Sequence, residues 1–428
     1  MIEILKKINN KKIKICVIGL GYVGLPLVRR FVEKNIITFG IDSDKIKISK
    51  LLIGKNYIKN FNFHYFKKNN KQLSSTFDIV KNVDIIFICL PTPLKNNKPD
   101  LSYIKKCITS LMPHLKKDQT IILESTVYPG ATNELVKKEI DKRFNIGKNF
   151  FLGYSPEREN PGDKNFSYQS TPKVISGSTK MCIKIVSLIY SKICAKVYIA
   201  KNIEIAEASK LLENLYRAVN IGLINEFKMI CKKLKIDVYD VIDAAATKNF
   251  GFNKFMPGPG WGGHCIPIDP FYLSWRSKQV GYNPKLIEAT GKINNDLPKI
   301  LTDEIINFFK KKKIKILIIG ISYKKNVDDD RESPAYEFIK YFLKNKIYFD
   351  YFDPHFHSLK IGRTNKLKKK RVNLTKKNLR FYDGVLIVTD HDNIDYKKIY
   401  TYSNTIFDTR GIMKKIIKKD HKNKIIYI

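Results

Sequence analysis

The stretch KIKICVIGLGYVGLP, residues 12–26, decides how the rest of the chain is read. It opens with a mostly apolar run suited to a strand buried on both faces. Gly19, Gly21 and Gly24 then form a GxGxxG with Tyr22 and Val23 inside it, and LPLVRRFVEKN follows with helical spacing. A strand that ends in glycines and opens a helix suits a dinucleotide. Bare backbone lets a diphosphate approach the free N–H groups of the helix N-terminus. IITFGID is a second strand ending at Asp42, 18 residues beyond Gly24. A carboxylate there accepts from both ribose hydroxyls and repels a 2′-phosphate, so the expected cofactor is NAD.

The same texture continues outward. VDIIFICL (83–90), TIILES (120–125) and FFLGYSPE (150–157) read as strands, with helical segments such as SYIKKCITSLMPHL between them. This βαβ alternation predicts a doubly wound sheet. PTP (91–93) and ESTVYPGAT (124–132) fall at the carboxyl ends of strands, where a cofactor site is completed. Thr92, Glu124 and Thr126 are therefore candidate contacts, or else ordinary loop residues.

From Ile203 a helical periodicity without proline runs for some thirty residues, to about Lys235. At 1.5 Å per residue it reaches roughly 45 Å, a length that links domains or forms a dimer face. Strand patterns return in KIKILIIGISY (313–323), KIYFDYFDP, GVLIVTD (384–390) and SNTIFD. The expected fold is α/β: two Rossmann-like doubly wound domains joined by a helical middle domain with a long central helix. The expected boundaries are 1–200, 201–310 and 311–428.

Composition narrows the function. The 428 residues are 43% hydrophobic and 12% aromatic, as in a folded globular protein. The formal charge of +39 comes from lysine spread through the whole chain together with isoleucine and asparagine. That spread is a compositional bias of A/T-rich codons, and no aromatic-interleaved basic motif accompanies it, so a nucleic-acid partner is not expected. No apolar run reaches the ~18 residues of a membrane span. The opening MIEILKKINNKKIKI lacks the apolar core of a secretory signal, and the cytoplasm is the expected compartment. Seven cysteines are scattered without CxxC spacing, which argues against a disulfide framework or a zinc site.

Cys265 stands apart. It lies in GPGWGGHCIPIDP, from Gly258 to Pro270, beside His264 and close to four glycines. Adjacent His and Cys are poorly placed to grip one metal, and none is expected. The thiol is either an incidental cysteine in a structural turn or a nucleophile toward a carbonyl. On the long helix Glu207, Lys210, Asn214 and Arg217 share a face, which spacing alone reads as solvated.

Six motifs in order, GLGYVGLP, STVYPGAT, YSPEREN, EASKLLENLYRAVNI, GPGWGGHCIPIDP and GISYKKNVDDDRESPA, run through nearly the whole chain. Together they resemble the UDP-glucose/UDP-N-acetylmannosamine dehydrogenase family of NAD-dependent nucleotide-sugar 6-dehydrogenases. The resemblance implies a four-electron oxidation of a sugar C6 alcohol to a carboxylate with two NAD+ in succession. It makes Cys265 the nucleophile that holds the half-oxidised carbon as thiohemiacetal and then thioester. It makes Lys210 and Asn214 ligands of the C6 oxygen, and Asp269 the organiser of that oxygen and of the hydrolytic water. Glu157 matches an acid/base position and Thr126 a residue that positions water. The family's UDP-glucose enzymes carry a second glutamate four residues on, where this chain has Pro161 with Glu159 nearby. Lys324 and Lys325 match positions near the nucleotide, and Arg331 one on the cofactor side. Phe252 to Gly263, with Gly262, would form the loop along the UDP-sugar. His264 receives no role.

GGHCIPIDP and SPERENPGD are closer in wording to the N-acetylhexosamine branch than to the UDP-glucose enzymes. The expected substrate is UDP-N-acetylglucosamine, then UDP-N-acetylmannosamine or UDP-glucose, and the expected product a surface polysaccharide precursor. The expected assembly is a homodimer. A binding protein that has lost catalysis is the rival reading, opposed by the presence of Cys265, Lys210, Asn214 and Asp269.

Overall fold

Lys14–Ile18 becomes a central strand because Ile15, Cys16, Val17 and Ile18 are all buried, with neighbours hydrogen-bonded on both sides. The computed structural model describes residues 3–55, 57–58, 61, 63–158, 171–310, 313–361, 367–417, 420 and 423–428. Their contacts divide into two compact units: residues 1–213 with 271–282, and residues 214–270 with 283–428.

The first unit is built on an eight-stranded sheet. Its spatial order is Val197–Ile199, Lys173–Gly177, Phe151–Tyr154, Thr120–Leu123, Ile85–Ile88, Lys14–Ile18, Ile37–Ile41 and Leu73–Ser74. All neighbours are parallel except Phe151–Tyr154 against Lys173–Gly177. The strand order therefore reverses direction between Lys14–Ile18 and Ile85–Ile88, and a crevice opens beyond the carboxyl ends of strands at such a point. The helix Gly24–Glu33 packs into the core of this unit through Leu25, Val28 and Phe31, apolar residues at helical spacing.

The second unit carries a five-stranded parallel sheet in the order Tyr348–Phe352, Lys315–Ile319, Gly384–Ile387, Ile406–Asp408 and Ile425–Tyr427. Side chains alternate between the faces of a strand. Ile316 and Ile318 accordingly join Phe338 and Phe342 in one core, while Leu317 and Ile319 join Leu379 and Ile399 in the other. Two filled faces are what a doubly wound sheet requires.

The long helix is Ile203–Leu234, and a second one spans Lys285–Phe309. With them, both expected α/β sheets and the helical middle are present. No helix among the described residues is long and apolar enough to cross a membrane.

Candidate active site

The Gly-rich turn is shaped by close packing. Gly19 has φ +91°, and a Cβ on it would lie 2.4 Å from the Cys89 carbonyl oxygen. A Cβ on Gly24 would lie 2.0 Å from the Gly19 oxygen. Gly21 differs: a Cβ there would meet no protein atom within 4 Å. Two glycines let strand, turn and helix close on one another, and the third leaves open space beside the turn. Tyr22 is exposed and Val23 half-buried.

Asp42 is buried behind this turn. Its carboxylate accepts from the Leu20 N–H at 2.9 Å and the Asp44 N–H at 2.9 Å, and Lys47 Nζ lies 3.3 Å away. A carboxylate has about four acceptor positions and these partners use three, so capacity remains for a ribose hydroxyl. Thr92 is buried, and its carbonyl accepts from the Tyr272 hydroxyl at 2.7 Å. The cradle at Gly21, the tight turn around it and Asp42 at its back fit a dinucleotide diphosphate and its adenosine ribose.

Thr126 is half-buried in the loop after Thr120–Leu123. Glu207, on the long helix, holds the far end of that loop. It accepts from the Gly130 N–H at 2.6 Å, the Thr132 N–H at 2.9 Å and the Thr132 hydroxyl at 2.6 Å. Burial pushes its carboxyl up to about 7 in spite of these donors. Glu124, in the same loop, is wholly buried. It pairs with Lys173 at 2.9 Å, and Lys173 also pairs with Glu157 at 3.0 Å. Lys173 has no signal in a lysine-rich sequence; only the sheet register brings it there. Glu159 and Pro161 lie outside the described residues.

The polar stripe does not face solvent as a unit. Glu207 and Asn214 are buried, Lys210 is half-buried and Arg217 is exposed. Asn214 Nδ2 donates to Asp269 Oδ2, and that carboxylate is itself only 4% exposed. The backbone links Asp269 to the cysteine: the Cys265 carbonyl accepts from the N–H groups of Ile268 at 3.0 Å and Asp269 at 2.8 Å. Cys265 is half-buried on this turn, just before the helix Asp269–Gln279.

The loop leading to the cysteine packs on protein at every glycine. Added Cβ atoms would approach the Arg410 guanidinium at Gly258, the Asn294 carbonyl at Gly260 and the Tyr323 ring at Gly263. At Gly262 one would meet the Glu332 carbonyl and Pro334. The long helix fixes the loop's start. Asn225 accepts from the Gly258 N–H at 2.9 Å, and Lys228 donates to the Gly258 carbonyl at 3.0 Å and to the Ile428 carbonyl at 2.9 Å. Burial lowers Lys228 to about 7. Burial and Arg331 lower His264 below its ordinary value, so it is neutral at pH 7. Phe252 is exposed.

Lys324 is half-buried, while exposed Lys325 pairs with Asp392 at 3.1 Å. Arg331 is held through its guanidinium by Asp329, at distances from 2.6 to 3.1 Å. No group of three or more His, Cys, Asp or Glu side chains among the described residues is arranged to hold a metal.

A glycine turn at the switch point of a parallel sheet, backed by Asp42, defines a dinucleotide-dependent enzyme fold. Comparison with known proteins makes this specific. Residues 13–194, 204–296 and 317–415 match the NAD binding, central and UDP binding domains of the UDP-glucose/GDP-mannose dehydrogenase family. The chain is 34% identical over 414 residues to protein CapL of Staphylococcus aureus, covering 93% of this chain and 96% of that one. It is 36% identical over 357 residues to the UDP-N-acetyl-D-glucosamine 6-dehydrogenase of Pseudomonas aeruginosa, covering 80% and 83%. The solved structure of a UDP-D-ManNAc dehydrogenase from Pyrococcus horikoshii superposes with a TM-score of 0.84 at 26% identity, covering 96% and 97%. The chain belongs to the UDP-glucose/GDP-mannose dehydrogenase family and is an NAD-dependent UDP-sugar dehydrogenase.

Proposed function

We propose that the protein oxidises the C6 alcohol of a UDP-N-acetylhexosamine, UDP-N-acetylglucosamine first, to the uronate. The observation that carries this reading is the Cys265 turn. One backbone turn joins Cys265 to Asp269, and Asn214 ties the Asp269 carboxylate to the long helix.

NAD+ held by Gly19, Gly21, Tyr22, Val23, Gly24, Asp42, Thr92 and Thr126, with Arg331 on the cofactor side, supplies the two-electron acceptor. Asn214, whose amide keeps a second N–H besides the one on Asp269, and Lys210 stabilise negative charge on the C6 oxygen. A first two-electron oxidation, with the hydroxyl proton released to water, turns the C6 alcohol into an aldehyde. Cys265 Sγ then adds to the aldehyde carbon as the thiol proton passes to the C6 oxygen, forming the thiohemiacetal. Two-electron oxidation of that adduct gives a thioester. Water, positioned by Thr126 and deprotonated by Glu157, adds to the acyl carbon; the C–S bond breaks, releasing uronate and the Cys265 thiolate. Phe252, Gly262, Gly263, Lys324 and Lys325 contact the UDP-sugar. The work divides among residues 1–200, 201–310 and 311–428, and the product is a surface polysaccharide precursor.

The substrate ranking is supported by the Pseudomonas aeruginosa relative, named for UDP-N-acetyl-D-glucosamine. The Pyrococcus horikoshii structure, described as a UDP-D-ManNAc dehydrogenase, favours UDP-N-acetylmannosamine as the second reading. NADH formation against a panel of UDP-sugars separates the two. UDP-N-acetylglucosamine should give the highest kcat/KM, and turnover of UDP-glucose alone would refute the ranking.

A homodimer is proposed on the long helix. Ile205, Leu212, Tyr216, Leu223, Ile230 and Leu234 are 44% to 62% exposed. Their spacing of seven and four residues puts them on one stripe, the pattern of a helix seam. Leu223→Asp should shift the mass measured by light scattering from dimer to monomer; an unchanged mass would exclude this face.

A further inference from the structure

Two carboxylates share one buried ammonium in the first unit. Lys173, with a side chain 3% exposed, reaches Glu124 Oε2 at 2.9 Å and Glu157 Oε2 at 3.0 Å. The three come from separate strand ends: Glu124 follows Thr120–Leu123, Glu157 follows Phe151–Tyr154, and Lys173 begins Lys173–Gly177. Glu124 has a fully buried side chain and also accepts from the Tyr190 hydroxyl. Glu157, at 16% exposure, is the member of the pair open to solvent.

Both oxygens of Glu157 are directed. Oε2 takes Lys173, and Oε1 accepts from the Arg158 N–H at 2.8 Å. The Arg158 guanidinium donates to the Pro172 carbonyl at 2.6 Å and pairs with Glu213 at 2.7 Å, which ties this segment to the residue before Lys173. Among the described residues, Cys89, Tyr190 and Cys194 are further titratable groups around the cluster. Burial pushes Cys89 and Tyr190 well up, so both are neutral. Burial also raises Glu124 against the pull of Lys173. Burial works against the charge on Lys173, but the two carboxylates outweigh it and the ammonium persists.

We propose that Lys173 is a positioning residue for Glu157. Its ammonium fixes one carboxylate oxygen and holds the group ionised, ready to take a proton from water, while Glu124 and Tyr190 hold the ammonium from behind. This rests on the reading of Glu157 as the acid/base group. Of the two carboxylates on Lys173, Glu157 is the solvent-facing one.

The test is the pH profile of kcat, at saturating NAD+ and with the UDP-sugar that the wild-type enzyme oxidises fastest in the panel. Lys173→Met alone leaves two carboxylates without their cation and endangers folding. Lys173→Met/Glu124→Gln removes one of them and keeps the experiment interpretable, with circular dichroism reporting the fold. In that variant the acid limb should move to higher pH by about one to three units, the usual effect of losing an adjacent cation. Lys173→Arg should return the limb toward its wild-type position. A uniform loss at every pH with an unmoved limb, in either methionine variant, overturns the proposal. Glu157→Gln separates the two claims: if it keeps the wild-type acid limb, the acid/base reading of Glu157 fails. If it abolishes the limb while the Lys173 variants leave it unmoved, only the positioning role fails.

Discussion

Asn214 donates its side-chain amide to the carboxylate of Asp269, and the two are buried to the same degree. Asn214→Ala removes one buried donor to Asp269 and the proposed donor to the C6 oxygen. The expected loss in kcat is about 10²–10³-fold, the usual cost of one oxyanion donor. A stability loss of about 1–3 kcal/mol should accompany it, from the lost buried hydrogen bond to a carboxylate. Steady-state kinetics and urea unfolding measure the two separately; a stability loss with unchanged kcat would reduce the pair to scaffolding.

The glycines of the dinucleotide turn should fail in different ways. Gly19→Ala puts a Cβ 2.4 Å from a carbonyl oxygen at positive φ, so it should destabilise the fold strongly. Gly21→Ala meets no protein atom within 4 Å and should leave the melting temperature unchanged. It should nonetheless weaken NAD binding, because the added methyl occupies the space left for the diphosphate. Calorimetric titration with NAD+ checks this, and unaltered affinity in Gly21→Ala would place the cofactor elsewhere.

Two buried groups should shape stability against pH in opposite directions. Glu207 is raised from an ordinary value of 4.5 to about 7, chiefly by burial. The folded protein keeps this proton when the unfolded chain has lost it. The contribution is therefore full below about pH 4.5 and is lost as pH rises through about 7. Lys228 is lowered by burial from 10.5 to about 7. Between those values the unfolded chain binds the extra proton, so this contribution grows as pH rises across the window. Denaturant titrations at a series of pH values should show Glu207→Gln flattening the fall between pH 4.5 and 7, and Lys228→Met flattening the rise between pH 7 and 10.5.

The sequence exposed what depends on local order. Buried parallel strands such as Lys14–Ile18 and Lys315–Ile319 are apolar runs flanked by glycine, and the turns beside them are short motifs. The strands it concealed are short or mixed. Leu73–Ser74 has two residues, and Lys173–Gly177 begins with a lysine that only its two carboxylates allow inside. The long helix illustrates the same limit: spacing put Glu207 and Asn214 on one face, yet their burial follows from the loops they hold. The four glycines before Cys265 pack against Arg410, Asn294, Tyr323, Glu332 and Pro334. Such contacts join residues tens of positions apart and leave no local trace.

The central claim is a four-electron oxidation carried through Cys265, and counting NADH tests it most directly. With UDP-N-acetylglucosamine consumed to completion, the wild-type protein should form two NADH per sugar, and Cys265→Ser should stall before the second. One NADH per sugar from the wild type, or two from Cys265→Ser at normal rate, would contradict the account.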